Sequence, residues 1–164
     1  AAGGQLIRTK VGDVNVAQSI RAEGAVFGGE PVGAWIHPKH HLCPDGILSS
    51  VLALAAVETF GGSVSDFTSG VPVFHVFRGR VDCPAQVKAR VMERASSELP
   101  GLFKDTRGVT TIDGVRVDMG DGWVLVRPSG TEPAIRVTAE SSEARVAEKN
   151  LSRVVELVGR LVRE

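Results

Sequence analysis

Short apolar runs, separated by glycine, proline and aspartate, divide the first 62 residues into alternating predicted strands and helices. An aspartate before a longer apolar stretch and a glycine after it are typical of the two ends of a helix. Shorter runs between turn residues favour strands. The predicted elements are a strand at 5–9, a helix at 14–23 between Asp13 and Gly24, strands at 25–27 and 34–37 around a tight turn at 28–33, and a helix at 46–60 after Asp45.

The helix at 46–60 is apolar almost all round, which predicts that it is buried. The order of elements indicates an α/β domain, but it is too short to close three layers. The chain also begins Ala-Ala-Gly-Gly, without an initiator Met. We therefore expect residues 1–62 to be the C-terminal portion of an α/β domain whose beginning is missing.

The remaining residues predict a different architecture. Residues 63–72 are expected to be a linker with one helical turn, begun by a capping box of Ser63 and Asp66. Beyond it the pattern predicts a strand at 73–77, a helix at 84–99, strands at 109–112, 115–119, 123–126 and 135–139, and a helix from Ser142 as its cap to 162. The last helix carries an apolar stripe of Ala147, Leu151, Val154, Val155, Val158, Leu161 and Val162. Residues 73–164 are therefore predicted to form an antiparallel sheet with helices on one face, which makes the chain α+β.

The composition and charge of the chain indicate which classes of function are not expected. Hydrophobic residues make up 43% of the chain, enough for a packed core, and 19 basic residues balance 19 acidic ones. Without a basic run, extended nucleic-acid binding and electrostatic membrane attachment are not expected. No stretch resembles a signal peptide or a transmembrane segment. The two cysteines, Cys43 and Cys83, lie far apart and suit a reducing compartment, so the expected location is the cytoplasm.

The loop at residues 127–133, between two predicted strands, carries the chemistry of anion capture. Arg127 offers a planar fork of donors, Ser129 and Thr131 add hydroxyl groups, and Gly130 lets the backbone approach a ligand. Consecutive backbone N–H groups in such a turn can also form an anion-binding concavity. A polar hairpin loop without any ligand is the alternative, because loops are polar for many reasons.

This loop resembles the R-x-S-G-T-E-P phosphate loop of the α-D-phosphohexomutases, which include phosphoglucomutases, phosphomannomutases and phosphoglucosamine mutases. Three further segments resemble that family in the same order along the chain: residues 8–13 the T-x-V-G stretch, residues 29–33 the sugar-binding G-E-x-S-G loop, and residues 44–47 the D-G-I that opens the next helix. The resemblance covers nearly the whole chain, as the latter part of the third domain (1–62) and the whole fourth domain (73–164).

The resemblance implies an enzyme that interconverts hexose 1-phosphate and hexose 6-phosphate, as a phosphomannomutase or phosphoglucosamine mutase does. A phosphoserine and a hexose bisphosphate intermediate are implied, with Mg²⁺ held by aspartates of another domain. The implied phosphate ligands are Arg127, Ser129, Gly130 and Thr131, with Arg136 as a supplementary one. Glu30, Gly29 and Gly33 are implied to bind the sugar, and Lys10 is the candidate for proton transfer or phosphate binding.

The residues themselves leave alternatives open. Arg136 could be a solvated strand arginine, Glu30 a plain loop carboxylate and Lys10 an exposed structural lysine. Val32 replaces the usual Ser of the sugar loop and Ala34 a frequent His, so the hexose preference is not assigned. The residues His37, His40, His41 and Cys43 include metal-ligand types, but their spacing matches no zinc pattern, and a loop flanking the sugar site is the better interpretation.

The sequence contains no T-A-S-H-N-P serine loop and no D-x-D-x-D metal loop. We therefore predict a C-terminal fragment of a phosphohexomutase that recognises hexose phosphates, binds no metal itself, needs the missing N-terminal domains and is inactive alone. The alternative hypothesis is a stand-alone, non-catalytic phospho-sugar binding module. A start codon just upstream of Ala1 would favour the module.

Overall fold

The computed structural model describes residues 3–164 and divides into two compact units, Ala1–Pro72 and Val73–Glu164. The described helices include none that is long and apolar enough to span a membrane.

The first unit contains three helices and one small hairpin. Its elements are α1 (Asp13–Glu23), β1 (Gly28–Gly29), β2 (Trp35–Ile36), α2 (Gly46–Phe60) and α3 (Val64–Thr68). The strands β1 and β2 pair antiparallel. A small cluster formed by Val16, Ile20 and Ile36 is buried between α1 and the hairpin. The glycines that follow α1 and α2, Gly24 and Gly61, adopt the left-handed conformation typical of helix C-caps, which confirms the prediction that Gly24 ends α1.

Three local predictions for this unit are wrong. Residues 5–9 and 25–27 are not strands, because an extended segment becomes a strand only by pairing with a neighbour, and among the described residues neither segment has one. The paired strand lies at the glycines Gly28 and Gly29, which the sequence indicated as a turn. Asp13 is not the N-cap of α1, because Gly12 holds that position and the Asp13 carboxylate accepts from the adjacent Val14 N–H.

The helix α2 begins as predicted but is not buried as predicted. Asp45 caps it, accepting a hydrogen bond from the Leu48 N–H at 2.8 Å. Its only buried residue is Ser49, while Ile47 is 83% and Leu54 66% exposed. An apolar helix is buried only where other apolar surface covers it, and the cluster of this unit is too small to do so.

The residues predicted as a linker, 63–72, include α3. The predicted capping box is confirmed: the Ser63 hydroxyl accepts from the Asp66 N–H, and the Asp66 carboxylate accepts from the Ser63 N–H.

The second unit is one five-stranded antiparallel sheet with two long helices, which confirms the predicted fold class. Its elements are β3 (His75–Asp82), α4 (Ala85–Glu98), a 3₁₀ turn (Pro100–Leu102), β4 (Gly108–Thr110), β5 (Val115–Met119), β6 (Gly122–Pro128), β7 (Ala134–Ser141) and α5 (Ala144–Arg163). The strand order is β3-β7-β6-β5-β4, so the last strand of the chain lies beside the first strand of the sheet.

The core of this unit lies between the sheet and the helices. α4 and α5 pack against each other, and both contact the sheet. Alternate residues of the strands point to these helices. The buried side chains of the sheet include Val115, Val117, Val124, Val126, Ile135, Val137 and Ala139. Those of the helices and of the segment after α4 include Val91, Ala95, Leu99, Val154, Leu157, Val158 and Leu161. The opposite face of the sheet carries Arg116, Arg127 and Arg136 together with Trp123, Leu125 and Thr138.

Several boundaries of the second unit differ from the prediction: β4 ends at Thr110 rather than at residue 112, β6 continues to Pro128, and β7 covers Ala134–Ser141. β3 begins at His75 rather than at residue 73 and continues to Asp82, because it pairs with β7 over its full length. Ser142 does not cap α5: its hydroxyl donates to the Asp121 carboxylate at 2.5 Å, and Glu143 holds the N-cap position. Leu157 and Asn150, which are outside the predicted apolar stripe of α5, are also buried.

Candidate functional site

The loop between β6 and β7 is held in shape by its own hydrogen bonds. The Ser129 N–H donates to the Ala134 carbonyl at 2.9 Å, and the Ala134 N–H donates to the Glu132 carbonyl at 2.8 Å. The Ser129 side chain is turned inward, with the residue only 4% exposed, and its hydroxyl oxygen accepts from the Glu132 N–H at 3.3 Å. Ser129 therefore supports the fold of the loop in addition to being a candidate ligand.

Gly130 and Thr131, at the tip of this loop, are exposed, and their backbone N–H groups have no hydrogen-bond acceptor within residues 3–164. No atom lies within 4 Å of the position that a Cβ would take at Gly130. Two consecutive N–H groups without an acceptor, beside open space, are the arrangement that binds anions in backbone concavities. The structure thus places Ser129, Gly130 and Thr131 together in one loop, and their role as phosphate ligands stays a prediction.

A lysine that the sequence did not indicate donates hydrogen bonds to two carbonyl groups of this loop. The Lys88 ammonium, on α4, donates to the Ser129 carbonyl at 2.7 Å and to the Glu132 carbonyl at 2.5 Å. Lys88 lies more than 40 residues before the loop, and no local pattern in the sequence connects the two.

Three arginines lie side by side on the exposed face of the sheet next to the loop. The strand register places Arg136 of β7 directly opposite Arg80 of β3 on one side and Arg127 of β6 on the other. Directly opposed residues of neighbouring strands project from the same face of a sheet. Arg127 and Arg136 were predicted as phosphate ligands, whereas Arg80 was missed because its position depends on a strand register that the sequence does not reveal.

Each of these arginines is paired with a carboxylate. Arg127 donates to Asp113 at 3.0 Å, and Arg136 donates to Glu132 at 3.0 Å. Arg80 lies 3.0 Å from Asp82.

The guanidinium groups affect Glu132 most directly. The hydrogen bond from Arg136, followed by the charges of Arg136 and Arg80, holds the pKa of the Glu132 carboxyl below its ordinary value.

Because a guanidinium has five N–H donors and each hydrogen bond described above uses one nitrogen, Arg127 and Arg136 retain donors for a phosphate.

In the first unit, Glu30 lies in the turn of the β1–β2 hairpin. Its backbone closes the turn: the Gly33 N–H donates to the Glu30 carbonyl at 3.0 Å, and the Glu30 N–H donates to the Ala34 carbonyl at 3.2 Å. Gly33 has φ +88°, a conformation that favours glycine. Gly29 packs beside Trp35, where a Cβ would lie 2.7 Å from the indole ring. The two glycines of the predicted sugar loop thus have clear structural reasons to be glycine.

The Glu30 side chain joins two of the segments that resemble the mutase family. One carboxylate oxygen, Oε1, accepts from the Gly12 N–H at 2.9 Å. This contact brings the segment that contains Lys10 beside the hairpin. Lys10 itself is exposed. The second carboxylate oxygen, Oε2, remains as an acceptor for a ligand.

The histidines that follow the hairpin make ordinary polar contacts. His37 Nε2 lies 2.8 Å from the Ser49 hydroxyl, and His41 Nε2 lies 3.1 Å from the Asp45 carboxylate. His41 Nδ1 accepts from the Cys43 N–H at 3.3 Å. Throughout residues 3–164, no group of three or more His, Cys, Asp or Glu side chains is arranged to hold a metal ion.

Comparison with known proteins identifies the family. Residues 1–74 match the model "Phosphoglucomutase/phosphomannomutase, alpha/beta/alpha domain III", and residues 87–157 match "Phosphoglucomutase/phosphomannomutase, C-terminal domain". The chain is similar to a probable phosphoglucosamine mutase of Methanopyrus kandleri, with 46% identity over 99% of this chain and 35% of that protein. A probable phosphoglucosamine mutase of Methanothermobacter thermautotrophicus is 51% identical over 84% of this chain and 30% of that protein.

A solved structure supports the fold. The crystal structure of a phosphoglucomutase/phosphomannomutase family protein from Burkholderia thailandensis matches with a TM-score of 0.74 and 21% identity, over 93% of this chain and 32% of that one. The chain spans about a third of the length of the curated relatives described above. Two successive domain models of one family account for most of its residues, and the chain therefore belongs to the phosphoglucomutase/phosphomannomutase family, of which it represents the third and C-terminal domains.

Proposed function

We propose that this chain recognises the sugar and the non-reacting phosphate of a hexose phosphate for a phosphohexomutase. The observation that carries the proposal is the pair of exposed N–H groups at Gly130 and Thr131, which lies beside the donors of Arg127 and Arg136. The substrate class that we propose is glucosamine 1-phosphate and glucosamine 6-phosphate, because the relatives described above are named probable phosphoglucosamine mutases. Hexose bisphosphate would bind the same loop as the reaction intermediate.

For the phosphate, the proposed ligands act as one donor set. The N–H groups of Gly130 and Thr131 approach the phosphate oxygens from the loop, and the Thr131 hydroxyl adds a third donor. Arg127 supplies a bidentate fork, and Arg136 supplements it from the neighbouring strand. Ser129 contributes through its buried hydroxyl and through the shape that it gives to the loop.

For the sugar, we propose Glu30 as the hydrogen-bond acceptor, with Gly29 and Gly33 shaping its turn. Its Oε2 oxygen can accept from a hydroxyl group or from the C2 ammonium of glucosamine, and a carboxylate attracts that ammonium. Lys10 is the candidate for proton transfer or for contact with an anionic group, because the Gly12–Glu30 hydrogen bond holds its segment next to the hairpin.

Phosphoryl transfer itself is not assigned to this chain. The family resemblance implies a phosphoserine, a bisphosphate intermediate and Mg²⁺, but residues 3–164 offer no metal-binding group and the sequence lacks the serine loop. We propose that these functions belong to N-terminal domains of the same enzyme and that the isolated chain binds without turnover. The free thiols of Cys43 and Cys83 support a cytoplasmic setting.

Calorimetric titration with glucosamine 6-phosphate tests the proposal. Arg127→Ala is expected to weaken binding by about 1.5–3 kcal/mol, or about tenfold to a hundredfold, because a charge-assisted hydrogen bond is lost. Arg145→Ala is the matched control, since Arg145 is an exposed arginine in the first turn of α5. Equal affinity of the Arg127 variant and wild type would contradict the loop assignment. Interconversion of glucosamine phosphates by the isolated chain would contradict its predicted inactivity.

A further inference from the structure

The proposed function does not explain why Lys88, in the second unit, contacts the backbone of the loop. Its single ammonium group donates to two carbonyl oxygens, those of Ser129 and Glu132. These two residues immediately flank the exposed pair Gly130 and Thr131. The lysine therefore connects the rigid helix α4 to both sides of the loop tip.

The position of these carbonyl groups matters to an anion. A carbonyl oxygen carries partial negative charge and repels a phosphate, whereas an N–H group attracts it. Lys88 holds two carbonyl groups of the loop, and a third, that of Pro133, accepts from the Cys83 N–H at 2.8 Å. With these carbonyl groups held by the scaffold, the loop keeps the N–H groups of Gly130 and Thr131 without an internal acceptor.

The charge of Lys88 is also unusual among the cations near the loop. Arg127, Arg136 and Arg80 are each paired with a carboxylate. Lys88 is half-buried and, among the described residues, forms no ion pair with a carboxylate. Its positive charge therefore remains to act on an anion at the loop, while its donors are used on the backbone.

We propose that Lys88 is a positioning residue for the phosphate-binding loop: it fixes the Ser129 and Glu132 carbonyl groups and adds a positive charge that no carboxylate of residues 3–164 pairs with. This inference rests on the proposed function, in which the loop between β6 and β7 binds a phosphate group. In this proposal Lys88 acts through the loop backbone and not as a phosphate ligand.

NMR titration of the ¹⁵N-labelled chain with inorganic phosphate tests this role. The variant Lys88→Met removes the charge and both donors while keeping a side chain of similar length. Lys88→Arg keeps the charge and can donate to two carbonyl groups. Lys149→Met, at an exposed position of α5, removes the same charge away from the loop and serves as the control.

In Lys88→Met we expect the Gly130 and Thr131 amide signals to shift and to show greater fast motion even without ligand, while core amides of β6 and β7 and the thermal midpoint stay near those of wild type. We expect phosphate to bind about tenfold more weakly, because the apparent dissociation constant rises as the competent loop conformation becomes less populated. Lys88→Arg should recover most of the affinity, and Lys149→Met should match wild type.

Two results would overturn the inference. In the first, Lys88→Met binds phosphate as wild type does, which leaves the proposed function intact. In the second, both Lys88 variants are equally weak and their amide shifts extend through α4 and β6, which indicates a general structural role. If phosphate does not shift the wild-type signals of Gly130 and Thr131, the proposed function itself fails at this loop, and the role of Lys88 fails with it.

Discussion

Arg127, a candidate phosphate ligand on β6, is positioned by the tight turn Asp113-Gly114, which precedes the neighbouring strand β5. Asp113 accepts a hydrogen bond from its guanidinium at 3.0 Å. Gly114, with φ +89°, lies against the backbone of β6: a Cβ at this glycine would lie 2.3 Å from the Val126 carbonyl oxygen and 3.0 Å from the Arg127 Cα. In the turn Asp113-Gly114, Asp113 therefore pairs with the guanidinium of Arg127, and Gly114 allows the backbone of β6 to lie close to the turn.

At this position we expect Gly114→Ala to lower the free energy of unfolding by at least about 1–3 kcal/mol, because the left-handed conformation disfavours a side chain and the contact is with backbone. Urea denaturation followed by circular dichroism measures the change. Gly101→Ala is the matched control, since Gly101 has open space around its Cβ position, and it should stay within about 0.5 kcal/mol of wild type. Equal stability of the two variants would contradict the close approach.

Individual residues also show which parts of the candidate site could be predicted from the sequence and which could not. The loop residues Gly130 and Thr131 could be predicted, because their types and order carry the chemistry of anion binding. Arg80 and Lys88 could not. Arg80 reaches the site through the register of β3 with β7, and Lys88 reaches it because α4 packs beneath the loop. Both contacts are tertiary, and neither leaves a local signal.

Among the elements, the two apolar helices α2 and α5 differ in what surrounds them. The sequence predicted that α2 is buried, because it is apolar almost all round, and that α5 carries an apolar stripe on one face. α5 has a polar face and an apolar face, and the apolar face packs on the sheet. α2 has the more apolar sequence and is largely exposed. A helical pattern therefore predicts the element and its face, but burial also depends on the surface that other elements provide.

A matched pair of leucines tests this difference between the helices. Leu161→Ala in α5 is expected to cost about 2–5 kcal/mol of stability, because Leu161 is 0% exposed and its removal leaves a cavity in the core. Leu54→Ala in α2 should change stability by less than about 0.5 kcal/mol, because Leu54 is 66% exposed. Chemical denaturation of both variants provides the measurement. A large cost at Leu54 would show that this face is covered in solution.

The failed strand predictions follow from the same principle. Residues 5–9 have a strand-like composition, yet strands need partners, and the unit offers none to this segment among its described residues. The four later strands were predicted from turn signals, such as Asp113-Gly114, that separate them. In the structure each of these strands pairs with a neighbour in the sheet. Local turn chemistry thus predicted the second unit better than the first.

For the molecule as a whole, four charged side chains connect the C-terminal ends of the two helices of the second unit. Arg94 and Glu98 of α4 form a four-membered network with Arg160 of α5 and Glu164 at the chain end. The hydrogen bonds from Arg160 and then Arg94 hold the pKa of the Glu98 carboxyl below its ordinary 4.5. Those from Arg94 and then Arg160 lower the pKa of Glu164 in the same way.

The sign of the pH dependence follows from these directions. Between the lowered pKa of the folded state and the ordinary 4.5 of the unfolded state, the unfolded chain binds more protons, so stability rises with pH. The contribution of the network is therefore fully present above about pH 4.5 and is lost as the pH falls through the folded pKa values. Because these side chains are partly exposed, salt should weaken the effect.

We therefore expect Glu98→Gln to flatten the decline of stability on acidification. Urea denaturation between pH 6 and pH 3 compares the variant with wild type, and the difference between the two curves is the measured quantity because other carboxylates also titrate in this range. The difference should be largest above about pH 4.5, where only wild type has the Glu98 charge, and should shrink toward pH 3 and in high salt. Glu156→Gln removes an exposed carboxylate of α5 outside the network and should run parallel to wild type. If the Glu98 and Glu156 variants give the same curves, the network does not link the two helices in solution.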